Sequence, residues 1–466
     1  MAGGDPTAAP RLAPVTPRAR IDVLDVLRGI AILGIFYMNI PLMGNSANLE
    51  HADIRLIGWS GADRAAWATI AVLLEGTQRC LLQLLFGAGV LMLAARAVAA
   101  GGADSAAPLH LRRYLLLLLF GLADIFVLLW PGDILLIYAL AALYIFPFRK
   151  LAAEKLLALG LLYALCCAIG IPSWTGSRGA TGYADRQALV LRVEAAQAAQ
   201  AAHRPLTPAD VAALRGWRDK TKSMALSPEQ AALAQDEARG HAGGIGAYRD
   251  FLWRAWLALA LSGSLFHGVL EAAATMLIGM ALWKWRIIQG ERSGRFYLGL
   301  ALAGYAFGVA ARLTGVVELF RFTPAPKTIW ITGEFARLAM TMGHLALVNL
   351  AMRNARGARL LAPFKAAGRV PLSLYLWQQL IGMWLLFAPF GLGLWGRYGW
   401  AALAAIASGV LPLLLISANL WLRHFNMGPV EWLWRALTYR QAPAFRRAER
   451  TSFAASPGAF TAAPAR

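Results

Sequence analysis

The chain has 466 residues, of which 58% are hydrophobic and 15% are charged, and its formal net charge is +20. Soluble domains carry about 25% charged residues, so this composition excludes an ordinary soluble fold and predicts an all-α, polytopic transmembrane helical bundle. The Lys and Arg residues cluster between hydrophobic stretches, which favours anionic membrane lipids over nucleic acid as their partner.

The two chain ends are predicted to be disordered. Residues 1–19 are rich in Ala, Pro and Gly, and residues 441–466 form a similar tail that is predicted to be cytoplasmic. The N-terminal segment has no apolar core of the kind found in signal peptides. The first hydrophobic stretch is therefore predicted to direct insertion itself.

The first hydrophobic stretch, 20–41, carries the polar residues Asp25, Arg28 and Asn39. At about 100° per residue all three share one helix face, and roughly 16 Å separate Arg28 from Asn39 along the axis. Such a stripe indicates a functional site within the membrane. It is equally compatible with a headgroup-facing ion pair and an asparagine that binds a neighbouring helix.

Ten spans are predicted, and basic residues concentrate in alternate loops, which predicts that both termini are cytoplasmic. The fourth span follows a Trp-Pro-Gly turn, where Asp133 is suited to cap the helix. The predicted spans are 24–42, 78–97, 113–130, 133–148, 154–171, 265–285, 296–316, 331–352, 370–389 and 400–422.

The spans predict two membrane halves, 20–171 and 251–440, separated by a polar insert. The insert, 172–250, is rich in Ala and Gln and predicts two or three short helices on the outer face. Thr207 and Ser227, each followed by Pro, signal two of the helix starts.

Few charged residues lie inside the other spans. Glu75 and Arg79 are four residues apart at the start of the second span, where an ion pair within the helix is predicted. His267 and Glu271 have the same spacing and predict an acid–base couple, either structural or catalytic. The sequence contains no P-loop, GxSxG or HExxH motif, and no metal site is predicted.

The first span resembles the opening of the bacterial YeiB-like family, a domain of unknown function (DUF418), in the string LDVLRGIAILGI at 24–35 followed by Asn39. Asp124 departs from this family, which often has a histidine at that position. The resemblance covers nearly the whole chain, because further signatures follow in order: LLFGAG at 84–89, GDIL at 132–135, MLIGMAL at 276–282 and GPVEWLWR at 428–435.

The family is more distantly similar to the transmembrane acyltransferase superfamily, through an Arg-Gly-x-Ala helix with a polar residue eleven positions after the Arg. In the sugar O-acyltransferases of that superfamily this residue is a histidine, whereas this chain has Asn39. An asparagine at this position resembles the glucosaminide acetyltransferase instead. The catalytic histidine of that enzyme comes later, in the following outer loop. His51 falls near that place.

The resemblance implies an inner-membrane acyltransferase that moves an acyl group from a cytoplasmic donor to an envelope glycan or lipid-linked acceptor. Acyl-coenzyme A is expected as the donor substrate, and no bound cofactor is expected. His51 is expected to act as general base and Asn39 to polarise the acyl carbonyl. A transporter or flippase of an anionic or lipid-linked solute is the alternative, and a non-catalytic scaffold is a third. The residues expected to bind donor or substrate are Asp25, Arg28, Glu75, Arg79, Asp133, Arg369, Tyr375 and Gln378.

Overall fold

α-Helices form most of the structure, a computed structural model that describes residues 21–101, 103–170 and 178–447. The predicted all-α class is thereby confirmed. In these ranges the helices are α1 (Asp22–Gly34), α2 (Phe36–Gly44), α3 (Ala47–Ala52), α4 (Gly61–Leu73), α5 (Thr77–Gly101), α6 (Ala106–Phe126), α7 (Leu135–Ile145), α8 (Ala153–Ile169), α9 (Gly179–Ala201), α10 (Pro208–Lys222), α11 (Pro228–Ala242), α12 (Ile245–Leu261), α13 (Ser264–Lys284), α14 (Gly294–Leu319), α15 (Ile329–Met352), α16 (Ala355–Arg369), α17 (Pro371–Gln379), α18 (Trp400–His424) and α19 (Pro429–Tyr439).

Six helical stretches of the described chain are long and apolar enough to cross a membrane, or seven if the bent pair of α16 and α17 counts as one span. The predicted third, fourth and fifth spans coincide with α6, α7 and α8, which are not among them. α7 has 11 residues and α8 has 17. The number of ten crossings and the side of each terminus therefore stay predictions. The six stretches are Asp22–Gly44, Gly61–Ala100, Ser264–Lys284, Gly294–Leu319, Ile329–Met352 and Trp400–His424.

The centre of the bundle is built around α13, which packs against α5, α7 and α8. Its residues from Ala272 to Leu282 are all buried. Glycines allow the close approach to α5: a side chain at Gly87 would collide with the backbone of Met276, and one at Gly279 with the backbone of Leu84. Small residues at such crossings let helix backbones pack directly on each other.

A sharp bend of 78° separates α16 from α17. Pro371 begins α17, and the residue before a proline is disfavoured in the helical conformation, so the helix breaks there. The backbone N–H groups of Leu372 and Ser373 donate to Oε1 of Glu431, at 2.6 and 3.0 Å. This carboxylate satisfies the free N-terminal donors of α17 and attaches α19 to the bend.

The insert forms helices α9 to α11, and Thr207 and Ser227 each begin a helix with a capping box, as predicted. The predicted boundary between residues 250 and 251 falls within α12, which starts at Ile245. Glu237 of α11 accepts a hydrogen bond of 3.0 Å from the backbone N–H of Ala47, so the insert is attached to α3.

The predicted N-terminal tail, 1–19, lies outside the described residues, as do 171–177 and 448–466. The start of the predicted C-terminal tail is ordered. The backbone N–H of Asn426 donates to the carbonyl of Phe445 at 2.9 Å, and Phe425 forms a β-bridge with Arg446. This segment therefore folds back on the end of α18.

Candidate functional site

Two cavities approach each other at the start of α7. The larger cavity, 1260 Å³, lies beside the insert, and the smaller one, 260 Å³, lies beside α19 and the bend. We name them the outer and the inner cavity, after the predicted sidedness. Among the described residues Ile134 is the one that lines both, so the backbone around Ile134 forms the wall between them.

The first helical stretch contributes to both cavities. Arg28 lines the inner cavity and Asn39 lines the outer cavity. Arg28 also makes the predicted contact with Asp25, at 2.8 Å, and donates to the carbonyl of Gly368 at 3.2 Å. The predicted polar stripe therefore extends from the inner cavity to the outer cavity.

The inner cavity is rich in arginine. Its two carboxylates are engaged, because Asp25 binds Arg28 and Glu431 caps α17. The guanidinium group of Arg113 stacks on the ring of Trp434, 3.9 Å from its centre. Five guanidinium groups against two carboxylates make this cavity positively charged. The arginines that line it are Arg28, Arg96, Arg113, Arg369 and Arg435.

Asp133 and Tyr375 meet at the wall. Asp133 caps α7 as predicted, accepting hydrogen bonds from the backbone N–H of Leu135 and Leu136 at 3.0 and 2.7 Å. The Tyr375 hydroxyl donates to Oδ1 of Asp133 at 3.3 Å and accepts from the N–H of Ile134 at 3.2 Å. Asp133 lines the outer cavity, whereas Tyr375 lines the inner one.

Asp124 is a site residue that the sequence analysis did not single out as functional. Its carboxyl group contacts that of Asp133, and both are buried, with 1% and 4% of their surfaces exposed. The side-chain amide of Gln379 donates to Oδ2 of Asp124 at 3.0 Å. Two features of the sequence pointed to it. Asp124 stands where the YeiB-like family often has a histidine, and it lies just before the turn that carries Asp133.

The prediction that Glu75 pairs with Arg79 is wrong. Nη2 of Arg79 donates instead to Oε2 of Glu271 at 2.9 Å, because α13 packs against this part of α5. Glu271 also lies 3.5 Å from Arg337 of α15, which in turn binds Glu334 at 2.8 Å. Arg79, Glu75, Glu334 and Arg337 all line the outer cavity, where they form a charged cluster.

Arg312 contributes a further cation to the outer cavity, and the sequence analysis missed it. It is buried in α14 and donates to the carbonyls of Ala71, Val72 and Glu75, at 3.1, 3.2 and 2.7 Å. These carbonyls belong to the end of α4 and to the turn that follows it, where helical partners are missing. The hydrogen bonds give Arg312 a role in holding α4 against α14.

Two predicted site residues lie away from the cavities. In the described structure His51 lines neither cavity, and its Nδ1 lies 2.6 Å from the carbonyl of Ala47 in its own helix. Gln378 lines neither cavity among these residues and donates to the carbonyl of Ile32 at 2.8 Å, which ties α17 to α1. His267 is the histidine found in the described lining of the outer cavity.

Sequence comparisons agree with the resemblance in the motifs. Residues 282–441 match the family model described as "Protein of unknown function (DUF418)". The chain is 29% identical to the "Uncharacterized protein YxaH" of Bacillus subtilis (strain 168), over 92% of this chain and 96% of the relative. It is 27% identical to the "Uncharacterized protein YeiB" of Escherichia coli (strain K12), over 92% and 98%.

A shorter match is with the "Uncharacterized 39.9 kDa protein in amylase 3'region" of Bacillus acidopullulyticus, which is 32% identical over 34% of this chain and 42% of the relative. No solved structure matches the chain. The chain is therefore similar to YeiB and YxaH along nearly its whole length and carries the DUF418 region at residues 282–441.

Proposed function

We propose that the protein transfers an acyl group from a donor in the inner cavity to an acceptor in the outer cavity. The observation that carries this proposal is that the two cavities approach each other at Ile134. An acyl carbonyl held at that wall is within reach of a donor on one side and an acceptor on the other. Holding two reactants in such proximity supplies a large part of the rate acceleration of a transfer reaction.

The charge of the inner cavity supports a donor that carries phosphate groups. Guanidinium groups bind phosphate through paired, charge-assisted hydrogen bonds, and five of them line this cavity. Trp434 and Tyr439, both partly exposed, add aromatic surfaces on which a base can stack. We propose acyl-coenzyme A as the donor, which combines both features and is cytoplasmic, so the protein would act in the bacterial inner membrane.

The outer cavity supports a larger acceptor. Its volume of 1260 Å³ exceeds that of an ordinary small-molecule pocket, and it includes residues of the insert such as Arg186 and Lys220. An envelope glycan or a lipid-linked acceptor fits a site of this size. Asn39 lies in this cavity and would donate to the acyl carbonyl oxygen as charge develops on it. His51 has no role in this proposal.

The same cavities also favour one rival function, a transporter or flippase of an anionic solute. Such a solute would bind the arginines of the inner cavity and cross the wall at Ile134. Both functions need Arg28, but only the transferase consumes an acyl donor. The two are therefore separated by offering the purified protein a labelled donor.

The test uses labelled acetyl-coenzyme A with the wild type, Arg28→Lys and Arg423→Lys. Lysine keeps the charge of Arg28 but cannot form a bidentate fork, so donor binding should weaken roughly tenfold or more, as for the loss of one charge-assisted hydrogen bond. Arg423 is exposed near the end of α18 and is the matched control, which should bind as the wild type does. Binding would be measured by scintillation proximity in detergent.

Two results would contradict the proposal. If the wild type binds no acyl donor, and Arg28→Lys abolishes uptake of a labelled anionic solute into proteoliposomes, the transporter replaces the transferase. If Arg28→Lys binds the donor as tightly as the wild type, the contact of Arg28 with Asp25 is purely structural and the inner cavity is not the donor site.

A further inference from the structure

We infer that Asp124 and Asp133 share one proton and that this pair, together with Tyr375, conducts protons through the wall between the two cavities. The role in catalysis rests on the proposed acyl transfer. The shared proton does not, because it follows from the contacts of the two carboxyl groups. Asp133 touches the reacting centre in this scheme, and Asp124 acts through it as a positioning residue.

The contacts require a proton. An ionised carboxylate only accepts hydrogen bonds, so two ionised carboxylates in contact repel each other and cannot form a hydrogen bond. Among the described residues, the groups that hydrogen-bond to the pair are the Tyr375 hydroxyl, the Gln379 amide and backbone N–H groups, all of them neutral. Oδ1 of Asp124 is buried and receives no hydrogen bond from the described residues. A proton held between the two carboxyl groups provides the missing donor.

The hydrogen bonds form a continuous path through the wall. Asp133 lines the outer cavity, and its Oδ1 accepts from the hydroxyl of Tyr375, which lines the inner cavity. Asp124 lies behind Asp133, held by Gln379 of the same helix as Tyr375. A group in either cavity can thus exchange a proton with the same network.

Acyl transfer between the cavities needs such a path. A bond forms between the acceptor oxygen or nitrogen and the acyl carbon, and the acceptor's proton passes to Asp133. The bond between carbon and sulfur breaks, and the leaving thiolate takes a proton from the Tyr375 hydroxyl on the inner side. The Asp124–Asp133 pair returns a proton to Tyr375. One proton enters the network and one leaves it, so the pair ends as it began.

The pair also has a structural function, because Asp133 caps α7. Asparagine at position 124 separates the two functions, since it has the same shape, still accepts from Gln379 and can donate to Asp133. A purely structural pair should therefore tolerate Asp124→Asn. A proton-sharing pair should lose its proton in the same variant, because the amide does not titrate.

The first experiment is infrared spectroscopy of the detergent-solubilised protein, labelled with ¹³C at the aspartate side-chain carboxyl. The label shifts the band of a protonated aspartate and leaves that of every glutamate unchanged. The wild type should show this shifted band at neutral pH, and Asp124→Asn should lose it. Asp63→Asn is the control, because Asp63 accepts hydrogen bonds from Ser60 and Ala401 and should be ionised in the wild type.

The shared proton is refuted if the wild type shows no such band or if Asp124→Asn retains it. The second experiment measures transfer and donor binding in the same variants. Asp124→Asn should reduce the transfer rate by roughly 10²–10⁴-fold, the range for losing general acid–base catalysis, and change its pH profile, with donor binding unchanged. Asp63→Asn should transfer at the wild-type rate.

The outcomes separate the two proposals. If Asp124→Asn transfers at the wild-type rate with the same pH profile, the relay is wrong and the transferase stands. If the wild type transfers no acyl group, the transferase and the relay that serves it are both wrong. The infrared band then still decides whether the two aspartates share a proton.

Discussion

Arg79 of α5 and Glu271 of α13 are joined by a hydrogen bond of 2.9 Å between Nη2 and Oε2. Arg337 of α15 approaches the other oxygen of the same carboxylate, at 3.5 Å. Glu271 therefore holds three helices together at the edge of the outer cavity. Two cations depend on this single carboxylate, with Glu334 as a second partner for Arg337.

Glu271→Gln should destabilise the protein by about 3 kcal/mol, because it leaves the buried Arg337 with one carboxylate fewer and Arg79 with none. Thermal unfolding in detergent would measure the loss. Asp236→Asn is the control, since it breaks an exposed ion pair with Arg254 and should cost less than about 1 kcal/mol. Equal shifts in the two variants would show that the Glu271 contacts do not support the fold.

The insert is predicted to lie outside and the start of α16 inside. Single cysteines at Lys222 and Arg356, both exposed, would be introduced after replacing Cys80, Cys166 and Cys167. An impermeant maleimide applied to intact spheroplasts should label Lys222→Cys and not Arg356→Cys. The reverse pattern would overturn the predicted orientation.

Glu50, in α3, should make stability depend on pH. Burial raises the pKa of its carboxyl from 4.5 to about 7, and the charges of Glu75 and Glu237 act in the same direction, whereas His51 opposes them. The folded protein then binds a proton that the unfolded chain releases, so stability falls as the pH rises from about 4.5 to 7.

Glu50→Gln should remove this loss. Its melting temperature should exceed that of the wild type at pH 8, and the difference should shrink as the pH falls toward 4.5. Glu229→Gln, on the first turn of α11, is a suitable control and should show the wild-type pH dependence. A wild-type melting temperature that does not change between pH 5 and 8 would contradict the prediction.

Glu237 should anchor the insert to the membrane part. Its carboxylate accepts hydrogen bonds from the backbone N–H of Ala47 and the side chain of Asn48, at 3.0 and 2.9 Å, and also from Ser46. Glu237→Ala should cost about 1–3 kcal/mol, since it leaves buried donors without an acceptor. Gln235→Ala, exposed on the same helix, should cost little, as thermal unfolding would show.

A larger change extends this prediction. Replacing 190–238 with a Gly/Ser linker should leave a protein that inserts and stays monodisperse in detergent, but with a stability loss at least equal to that of Glu237→Ala. Aggregation of this variant beside a well-behaved wild type would show that the insert belongs to the core of the fold. Size-exclusion chromatography would distinguish the two results.

Features that depend on near neighbours in the chain could be predicted from the residues alone. Composition predicted the helical membrane bundle, and the capping residues Thr207, Ser227 and Asp133 predicted helix starts that the structure contains. The contact between Asp25 and Arg28 was also predictable, because three residues along a helix return to the same face. In each case the backbone of one helix or turn sets the distance.

Contacts between residues far apart in the chain depend on how the helices pack. Arg79 reaches a carboxylate 192 positions away, rather than Glu75 four positions before it, because α13 packs directly on α5. The α7 turn brings Asp133 against Asp124, and the bend before α17 adds Tyr375. His51 stays outside both cavities because α3 holds its ring. Hydrophobic periodicity fixes which face of a helix is buried but not which helix it meets, so these contacts required the packed bundle.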